Sequence, residues 1–178
     1  MTLILIFVFS AYEKSNAEEA SRSLVVYFSW SGNTEALANE IQTQTGADIF
    51  ELIPAEPYTN DYNTLLDIAK NEKAKNSRPA IAKKIQNFEQ YQIIYLGFPN
   101  WWADMPMILY TFLDEYDCSG KIIAPFVTSG GSGLSNTINL IKALEPNAKV
   151  LDGLSLRSSK AAHSDADVAK WLSSLGMK

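Results

Sequence analysis

The stretch Ser29-Trp30-Ser31-Gly32-Asn33-Thr34 follows an apolar, β-branched run at 24–28 and leads into a helical pattern in which Leu37 and Ile41 share one face. A strand that turns directly into a helix points free backbone N–H groups at one place, and such a place attracts phosphate. The serine and threonine hydroxyls and the Asn33 amide would add donors there. Because no Lys or Arg occurs between Arg22 and Lys70, neutral dipoles alone would hold the anion.

The same stretch lacks two common nucleotide-binding fingerprints, the Gly-Lys-Ser/Thr of a P-loop and the G-x-G-x-x-G of a Rossmann turn. Neutral donors suit a monophosphate better than a triphosphate, whose charge usually requires Lys and Mg²⁺. Ser, Gly and Asn are also ordinary turn residues. Taken alone, the stretch therefore fits a phosphate site and a plain strand-to-helix turn about equally well.

Composition restricts the function further. The length of 178 residues indicates one main domain. The net charge of −5 and the interpretation that the chain has no basic cluster both argue against nucleic-acid binding. An acidic surface could instead steer a basic partner protein. Cys118 and His163 are the only residues of their types, which excludes internal disulfides and C-x-x-C chemistry. We expect Cys118 near a helix end and His163 in a surface or capping role, so we predict no catalytic residues and no metal site, and redox chemistry would require an organic cofactor.

Residues 1–21 are set apart from the domain at 22–178. An apolar run at 3–9 precedes Ser15-Asn16-Ala17, which has the small-x-Ala form of a signal-peptidase site, and the run is too short to span a membrane. We expect a signal peptide and export after cleavage near Ala17. The lack of Lys or Arg before the apolar run favours the alternative, a cytoplasmic protein with a spurious N-terminal extension.

Five strand patterns alternate with helical ones, at residues 23–28, 47–53, 92–98, 121–128 and 149–156. The third and fourth are apolar almost throughout, as in strands covered on both faces, whereas the fifth contains Gly153 and suits an edge. This alternation predicts an α/β fold, a doubly wound five-stranded parallel sheet with helices on both faces.

The helical patterns carry apolar stripes and candidate caps. A polar helix is predicted at 61–75, and Asp104 is predicted to cap the next helix, with Pro106 in its first turn. Ser164 and Asp167 resemble a capping box. The stripes are interpreted as core-facing and comprise Met105, Ile108, Leu109, Phe112 and Tyr116, then Leu134, Ile138 and Ile141, and finally Val168, Trp171, Leu172 and Leu175.

Three loops follow the first, third and fourth strands. Because the carboxyl ends of parallel strands lie at one edge of the sheet, we expect the three loops to form one cleft. The second loop has two adjacent tryptophans, which suits stacking on a flat ligand, although a partner surface or packing on the core would also explain them. The third loop is rich in glycine, which lets backbone approach a ligand closely, although such tracts are also common as connectors. The candidate site residues are Ser29, Trp30, Ser31, Gly32, Asn33, Thr34, Pro99, Asn100, Trp101, Trp102, Thr128, Ser129, Gly130, Gly131, Ser132 and Gly133.

At these loops the chain resembles the flavodoxins, across about residues 23–176. The first loop matches their FMN-phosphate loop, and Pro-x-Trp-Trp and Thr-Ser-Gly-Gly-Ser-Gly are similar to the other two loops of a bacterial, short-chain subgroup. The resemblance implies strand order 2-1-3-4-5, with FMN phosphate at 29–34, the ring beside 99–102 and its pyrimidine edge along 129–133. Asn100 departs from the aliphatic residue usual in that subgroup, which leaves the partner of flavin N5 open.

The resemblance implies a low-potential carrier of single electrons between redox partner proteins. The alternative is an FMN-dependent enzyme that oxidises NAD(P)H and reduces a quinone or another small molecule. The single small domain and the lack of a second nucleotide fingerprint favour the carrier. The sequence does not specify the oligomeric state or the electron donor and acceptor.

Overall fold

The computed structural model describes residues 22–177, which form a parallel sheet with helices on both faces. Its spatial order is β2-β1-β3-β4-β5, with β6 also paired to β4. The predicted doubly wound sheet and its strand order are therefore confirmed, whereas the predicted signal peptide at 1–21 lies outside the described residues. The strands are β1 (Arg22–Tyr27), β2 (Asp48–Glu51), β3 (Tyr91–Pro99), β4 (Ile122–Ser129), β5 (Lys149–Val150) and β6 (Leu154–Arg157).

Helices cover both faces because strand side chains alternate in direction. Val25 and Tyr27 of β1 belong to the apolar layer that includes Leu37 and Ile41, whereas neighbouring Val26 belongs to the opposite layer. Helices α1 and α5 pack on the first face, and α3 and α4 pack on the second. The helices are α1 (Asn33–Thr45), α2 (Tyr62–Ala74), α3 (Met107–Glu115), α4 (Thr137–Leu144) and α5 (Asp165–Ser174).

Among residues 22–177, no helix is both long enough and apolar enough to cross a membrane.

The fifth predicted strand, residues 149–156, is divided into β5 and β6. Leu151 N–H donates to Ile123 O at 2.8 Å, and the parallel ladder would next need an N–H from residue 125. Pro125 has no N–H, so the ladder stops there. Strand β6 resumes the pairing after residues 151–153 have passed only two residues of β4. The sheet therefore has six strands instead of the predicted five.

The predicted cap at Asp104 is wrong. Helix α3 begins at Met107, with Pro106 as its N-cap residue and no side-chain cap. Met105 precedes a proline and is therefore disfavoured in helical conformation, which delays the start of the helix. The Asp104 carboxylate instead accepts hydrogen bonds from Met105 N–H (2.7 Å) and the Tyr110 hydroxyl (2.9 Å).

The predicted capping box at the start of α5 is also wrong. Ser164 is the N-cap residue, but its hydroxyl donates to Ala161 O at 2.9 Å and caps nothing in α5.

The single cysteine and the single histidine lie as predicted. Cys118 is fully buried just beyond α3, and burial raises the pKa of its thiol to about 12. His163 is exposed at the end of a short 3-10 helix.

The chain contains one basic segment, so the interpretation that it has no basic cluster is wrong. Residues 70–84 hold six of the 15 Lys and Arg residues. Three of the six form ion pairs with carboxylates in or just before α3, so part of this charge is neutralised within the fold. The pairs are Lys73–Asp104, Arg78–Asp114 and Lys84–Glu115.

Candidate functional site

The turn between β1 and α1 places the first N–H groups of α1 at the carboxyl edge of the sheet. Gly32 is the N-cap residue, with φ of 80°, and no side chain caps the helix. The Gly32 carbonyl accepts the first helical bond, from Ala36 N–H at 2.9 Å. The N–H groups of residues 33–35 precede that bond and so have no acceptor within the helix. Together with the helix dipole they can bind an anion.

The side chains of this turn are held in different ways. Thr34 is buried, and its hydroxyl hydrogen-bonds the Thr128 hydroxyl at 2.8 Å. Asn33 Nδ2 donates to Ser31 Oγ at 2.9 Å. Ser29 Oγ is buried and has no hydrogen-bond partner within residues 22–177. A buried hydroxyl without a partner costs about 1–3 kcal/mol, so Ser29 fits a ligand that provides one.

Trp30 faces a different part of the molecule from the other residues of this turn. Its indole N–H donates to Thr59 O at 2.9 Å, in the loop after β2. Its ring centre lies 6.2 Å from that of Tyr62, which begins α2 and is 60% exposed. The Trp30 side chain therefore lies between the backbone of the turn at 29–34 and residues 59–62.

The loop after β3 contains a two-residue turn. Trp101 and Asp104 exchange backbone hydrogen bonds of 3.0 and 3.1 Å around Trp102 and Ala103. Both central residues have positive φ, 54° and 59°, as in a type I′ turn. Such turns favour Asn and Gly, so the positive φ angles of Trp102 and Ala103 cost conformational energy.

The two adjacent tryptophans lie in different surroundings. Trp101 is half-buried and packs edge-on against Phe28, with ring centres 5.4 Å apart. Trp102 is 46% exposed and lies against α2, where its indole N–H donates to Leu66 O (3.1 Å) and Lys70 Nζ lies 5.5 Å from its ring centre. Lys73 Nζ also donates to Trp102 O at 2.8 Å. The prediction that one tryptophan stacks on a ligand remains a prediction for both.

The Ser129 side chain holds the glycine-rich loop after β4 through two hydrogen bonds. Ser129 Oγ accepts hydrogen bonds from Gly131 N–H (3.2 Å) and Gly133 N–H (3.0 Å). Gly131 and Gly133 both have positive φ, 146° and 64°. Gly130 and Ser132 are exposed. Ser129 Oγ therefore organises the backbone of this loop.

The three loops meet at one edge, as the sequence predicts. Pro99, the last residue of β3, pairs with Thr128 of β4, and Asn100 N–H donates to Thr128 O at 2.9 Å. Asn100 Nδ2 donates to Gly133 O at 2.8 Å, which joins the second loop to the third. The Thr34–Thr128 bond joins the first loop to the third. The three loops therefore form one continuous rim, whereas the indole N–H groups of Trp30 and Trp102 are directed to Thr59 O and Leu66 O.

Two carboxylates lie near the turn at 29–34. Glu35 is in the first turn of α1, and Glu51 ends β2. Burial, with smaller contributions from Glu51 and Glu35, raises the pKa of Tyr27 to about 12. Burial and the charge of Glu35 also raise the pKa of Glu51. The neutral donors of the turn therefore lie in a negatively charged neighbourhood.

Glu72 contacts this edge of the sheet through Tyr58 and is absent from the predicted site residues. Tyr58 packs edge-on against Phe28 and Trp101, and its hydroxyl donates to Glu72 Oε2 at 2.8 Å. Burial raises the pKa of Tyr58, with a further contribution from the Glu72 hydrogen bond, and burial also raises the pKa of Glu72. Glu72 occurs in a polar helical pattern, where it resembles any solvated glutamate. Only the contact with Tyr58 distinguishes it.

Tyr58 also borders two cavities beside the rim. The smaller, ≈ 180 Å³, is bounded by Ser29, Trp30 and residues 51–54. The larger, ≈ 480 Å³, lies between residues 54–58, residues 77–80 and α2. Within residues 22–177, no group of three or more His, Cys, Asp or Glu side chains is placed to hold a metal ion.

Comparison with known proteins identifies the family. Residues 22–175 match the family model described as Flavodoxin. The chain belongs to the flavodoxin family. Flavodoxins are themselves the standard example of strand order 2-1-3-4-5 with FMN at the point where the order reverses. No curated protein matches the chain.

Solved structures share this flavodoxin fold. A candidate flavoprotein from Bacteroides eggerthii is 31% identical, with a TM-score of 0.80, and the match covers 89% of this chain and 99% of that one. A candidate flavoprotein from Bacteroides uniformis is also 31% identical, with a TM-score of 0.78 and coverage of 86% and 98%. A flavoprotein from Lactobacillus acidophilus, solved in complex with FMN, is 24% identical, with a TM-score of 0.69 and coverage of 85% and 99%.

Proposed function

We propose that this flavodoxin-family protein binds FMN and carries single electrons between redox partner proteins. The observation that carries the proposal is the buried Ser29 hydroxyl without a partner, next to the uncapped N-terminus of α1. Ser31, Asn33 and Thr34 extend this set of neutral donors, which suits one phosphate group. The FMN complex of the Lactobacillus flavoprotein supports FMN as the choice among flavins.

The other two loops would hold the flavin ring. Pro99 to Trp102 offer an aromatic wall, and Ser129 to Gly133 offer backbone donors and acceptors along a second edge. Bound FMN would supply the electron-accepting and electron-donating chemistry, so the protein needs no catalytic base of its own. The task of the side chains is to bind the cofactor and to set the relative stability of its redox states.

The charges at the site favour a low reduction potential. Glu35 and Glu51 lie near the turn at 29–34, and the chain has no Lys or Arg between Arg22 and Lys70. Each added electron would therefore meet repulsion from these carboxylates at the phosphate end of the site, whereas Lys70 and Lys73 beside Trp102 would offset part of it at the ring. Repulsion of about 1.4 kcal/mol lowers a one-electron potential by roughly 60 mV.

The proposal is tested by reducing the FMN-loaded protein stepwise without oxygen, first with dithionite and then with NADH or NADPH. We expect the absorbance of a one-electron-reduced protein to build up with dithionite, because a carrier must separate its two electron steps. Either pyridine nucleotide should react slowly. Rapid two-electron bleaching by NAD(P)H without that absorbance would overturn the carrier proposal in favour of the oxidoreductase alternative, and failure to bind FMN would overturn both.

A further inference from the structure

The amide of Asn100 is fixed between two loops, with one side of it left unbonded. Nδ2 donates to Gly133 O and to Ser135 Oγ, both at 2.8 Å, so both amide hydrogens are used. Oδ1 is buried and has no hydrogen-bond partner within the part of the chain that the structure describes. A buried acceptor without a partner is costly, so this atom requires an explanation.

The partners of Asn100 determine which side of the amide carries the oxygen. In the flipped orientation Oδ1 would face Gly133 O, and two acceptors would repel each other. The Ser135 hydroxyl can both donate and accept and lies 3.4 Å from Ser132 O, so it does not distinguish the two orientations and Gly133 O decides between them. The atom without a partner is therefore the acceptor Oδ1, so a ligand that pairs with it must offer a hydrogen-bond donor.

We propose that Asn100 Oδ1 accepts a hydrogen bond from the imide N–H of the flavin ring, an inference that rests on the proposed binding of FMN. The oxidised isoalloxazine has one ring N–H, at the imide, whereas its carbonyls and its other unsubstituted ring nitrogens only accept. Among the atoms of the ring, a single buried acceptor therefore selects the imide edge. The contact also gives a purpose to a polar residue at a position where the resembling subgroup has an aliphatic one.

The location of Asn100 favours the ring over the rest of FMN. The FMN phosphate offers mainly acceptors near neutral pH, and its predicted donors lie at 29–34. Asn100 is instead tied to Gly133 in the glycine-rich loop and follows β3 directly. The side chain thus belongs to the two loops expected to enclose the ring.

The test compares the dissociation constants of FMN and 3-methyl-FMN, in which a methyl group replaces the imide hydrogen. The FMN-free wild-type protein should bind 3-methyl-FMN at least about tenfold more weakly, because the methylated ligand leaves the acceptor unpaired. In Asn100→Leu the ratio of the two constants should fall towards one. An unchanged ratio would overturn the proposal, since steric rejection or a contact with a ribityl hydroxyl would persist in both proteins.

Ser135→Ala is the matched control. It removes one of the two anchors of Asn100 but keeps Oδ1, so the wild-type ratio should be retained. A ratio lost equally in Ser135→Ala and Asn100→Leu would indicate general loosening of the loop and would overturn the proposal.

If Asn100→Leu does not fold, the imide proton of ¹⁵N-labelled FMN bound to the wild type gives a second measurement. Slow exchange of that proton with water supports the contact, and fast exchange overturns it. Tight FMN binding combined with a wild-type ratio near one would overturn the Asn100 contact alone, whereas no FMN binding would overturn the proposed function as well.

Discussion

The hydroxyls of Thr34 and Thr128 lie 2.8 Å apart in a buried hydrogen bond, although 94 residues separate them along the chain. This bond joins the first turn of α1 to the end of β4. It therefore fixes the turn at 29–34 relative to the glycine-rich loop. The distance between the proposed phosphate and ring subsites depends in part on this single contact.

Replacing either threonine by valine should lower the free energy of unfolding of the FMN-free protein by about 1–3 kcal/mol, because the remaining hydroxyl stays buried without a partner. The double variant Thr34→Val/Thr128→Val should lose less than the sum of the single losses, since no orphaned hydroxyl remains. Urea unfolding at one pH measures all three variants. Strictly additive losses would show that the two hydroxyls do not stabilise each other.

Ser29→Ala should change stability and affinity in opposite directions. The FMN-free protein should be at least as stable as the wild type, because a buried hydroxyl without a partner is removed. The affinity for FMN should fall by about 1–3 kcal/mol, and the affinity for riboflavin, which has no phosphate, should change much less. Urea unfolding and fluorescence titration provide the two readouts.

Asn33→Ala should show the same discrimination between FMN and riboflavin as Ser29→Ala. Ser132→Ala, at an exposed position of the glycine-rich loop, is the control and should not discriminate between the two ligands. Equal losses for FMN and riboflavin in Ser29→Ala would mean that the turn at 29–34 does not contact phosphate.

Stacking by Trp101 or Trp102 should quench the fluorescence of bound FMN. Replacement of the stacking residue by alanine should restore part of the emission and weaken binding by about 0.5–1.5 kcal/mol beyond the loss of buried area. Trp30→Phe serves as a control, because its indole is directed to Thr59 O. If Trp101→Ala and Trp102→Ala both leave emission and affinity unchanged, the pair belongs to a partner surface.

Glu35→Gln and Glu51→Gln should each raise the reduction potential of the FMN-loaded protein, because each removes a negative charge near the turn at 29–34. A loss of repulsion of about 0.5 kcal/mol would raise a one-electron potential by roughly 20 mV. Glu40→Gln, further along α1, is the matched control. Potentials measured against reference dyes test the series, and equal shifts in all three variants would exclude a local effect.

Glu145 should make stability depend on pH. Burial, together with Asp117 and Asp114, raises the pKa of Glu145 to about 7 from 4.5. The folded protein therefore binds this proton more tightly than the unfolded chain does. The resulting stabilisation is complete below about pH 4.5 and is lost as the pH rises through about 7.

Glu145→Gln should remove this part of the pH dependence and be more stable than the wild type at pH 8. Urea unfolding at pH 5 and pH 8 gives the comparison, and Glu56→Gln, at an exposed loop position, is the control. A wild-type slope between the two pH values in Glu145→Gln would assign the dependence to other groups.

Local patterns were sufficient for the doubly wound parallel sheet and for the meeting of the three loops, because strand carboxyl ends share one edge in a parallel fold, whereas the strand order came from the resemblance to the flavodoxins. They were insufficient wherever a distant partner decides the outcome. The break at Pro125 depends on which N–H the next strand requires, and this is known only once the register is known. Asp104 bonds Tyr110 and pairs with Lys73 at 3.1 Å, a contact that capping rules do not consider. Trp102 lies on α2, which no spacing in its own loop indicates.

The division of the outer strand into β5 and β6 affects how copies of the protein meet one another. A long, uninterrupted edge strand exposes a row of N–H and C=O groups that a second molecule can extend, which is a route to aggregation. Here that side of the sheet is divided into segments of two and four residues, and β2, on the other side, has only four and is followed by Pro54 after a short gap. Neither side offers a long template, so pairing of sheet edges between copies is disfavoured.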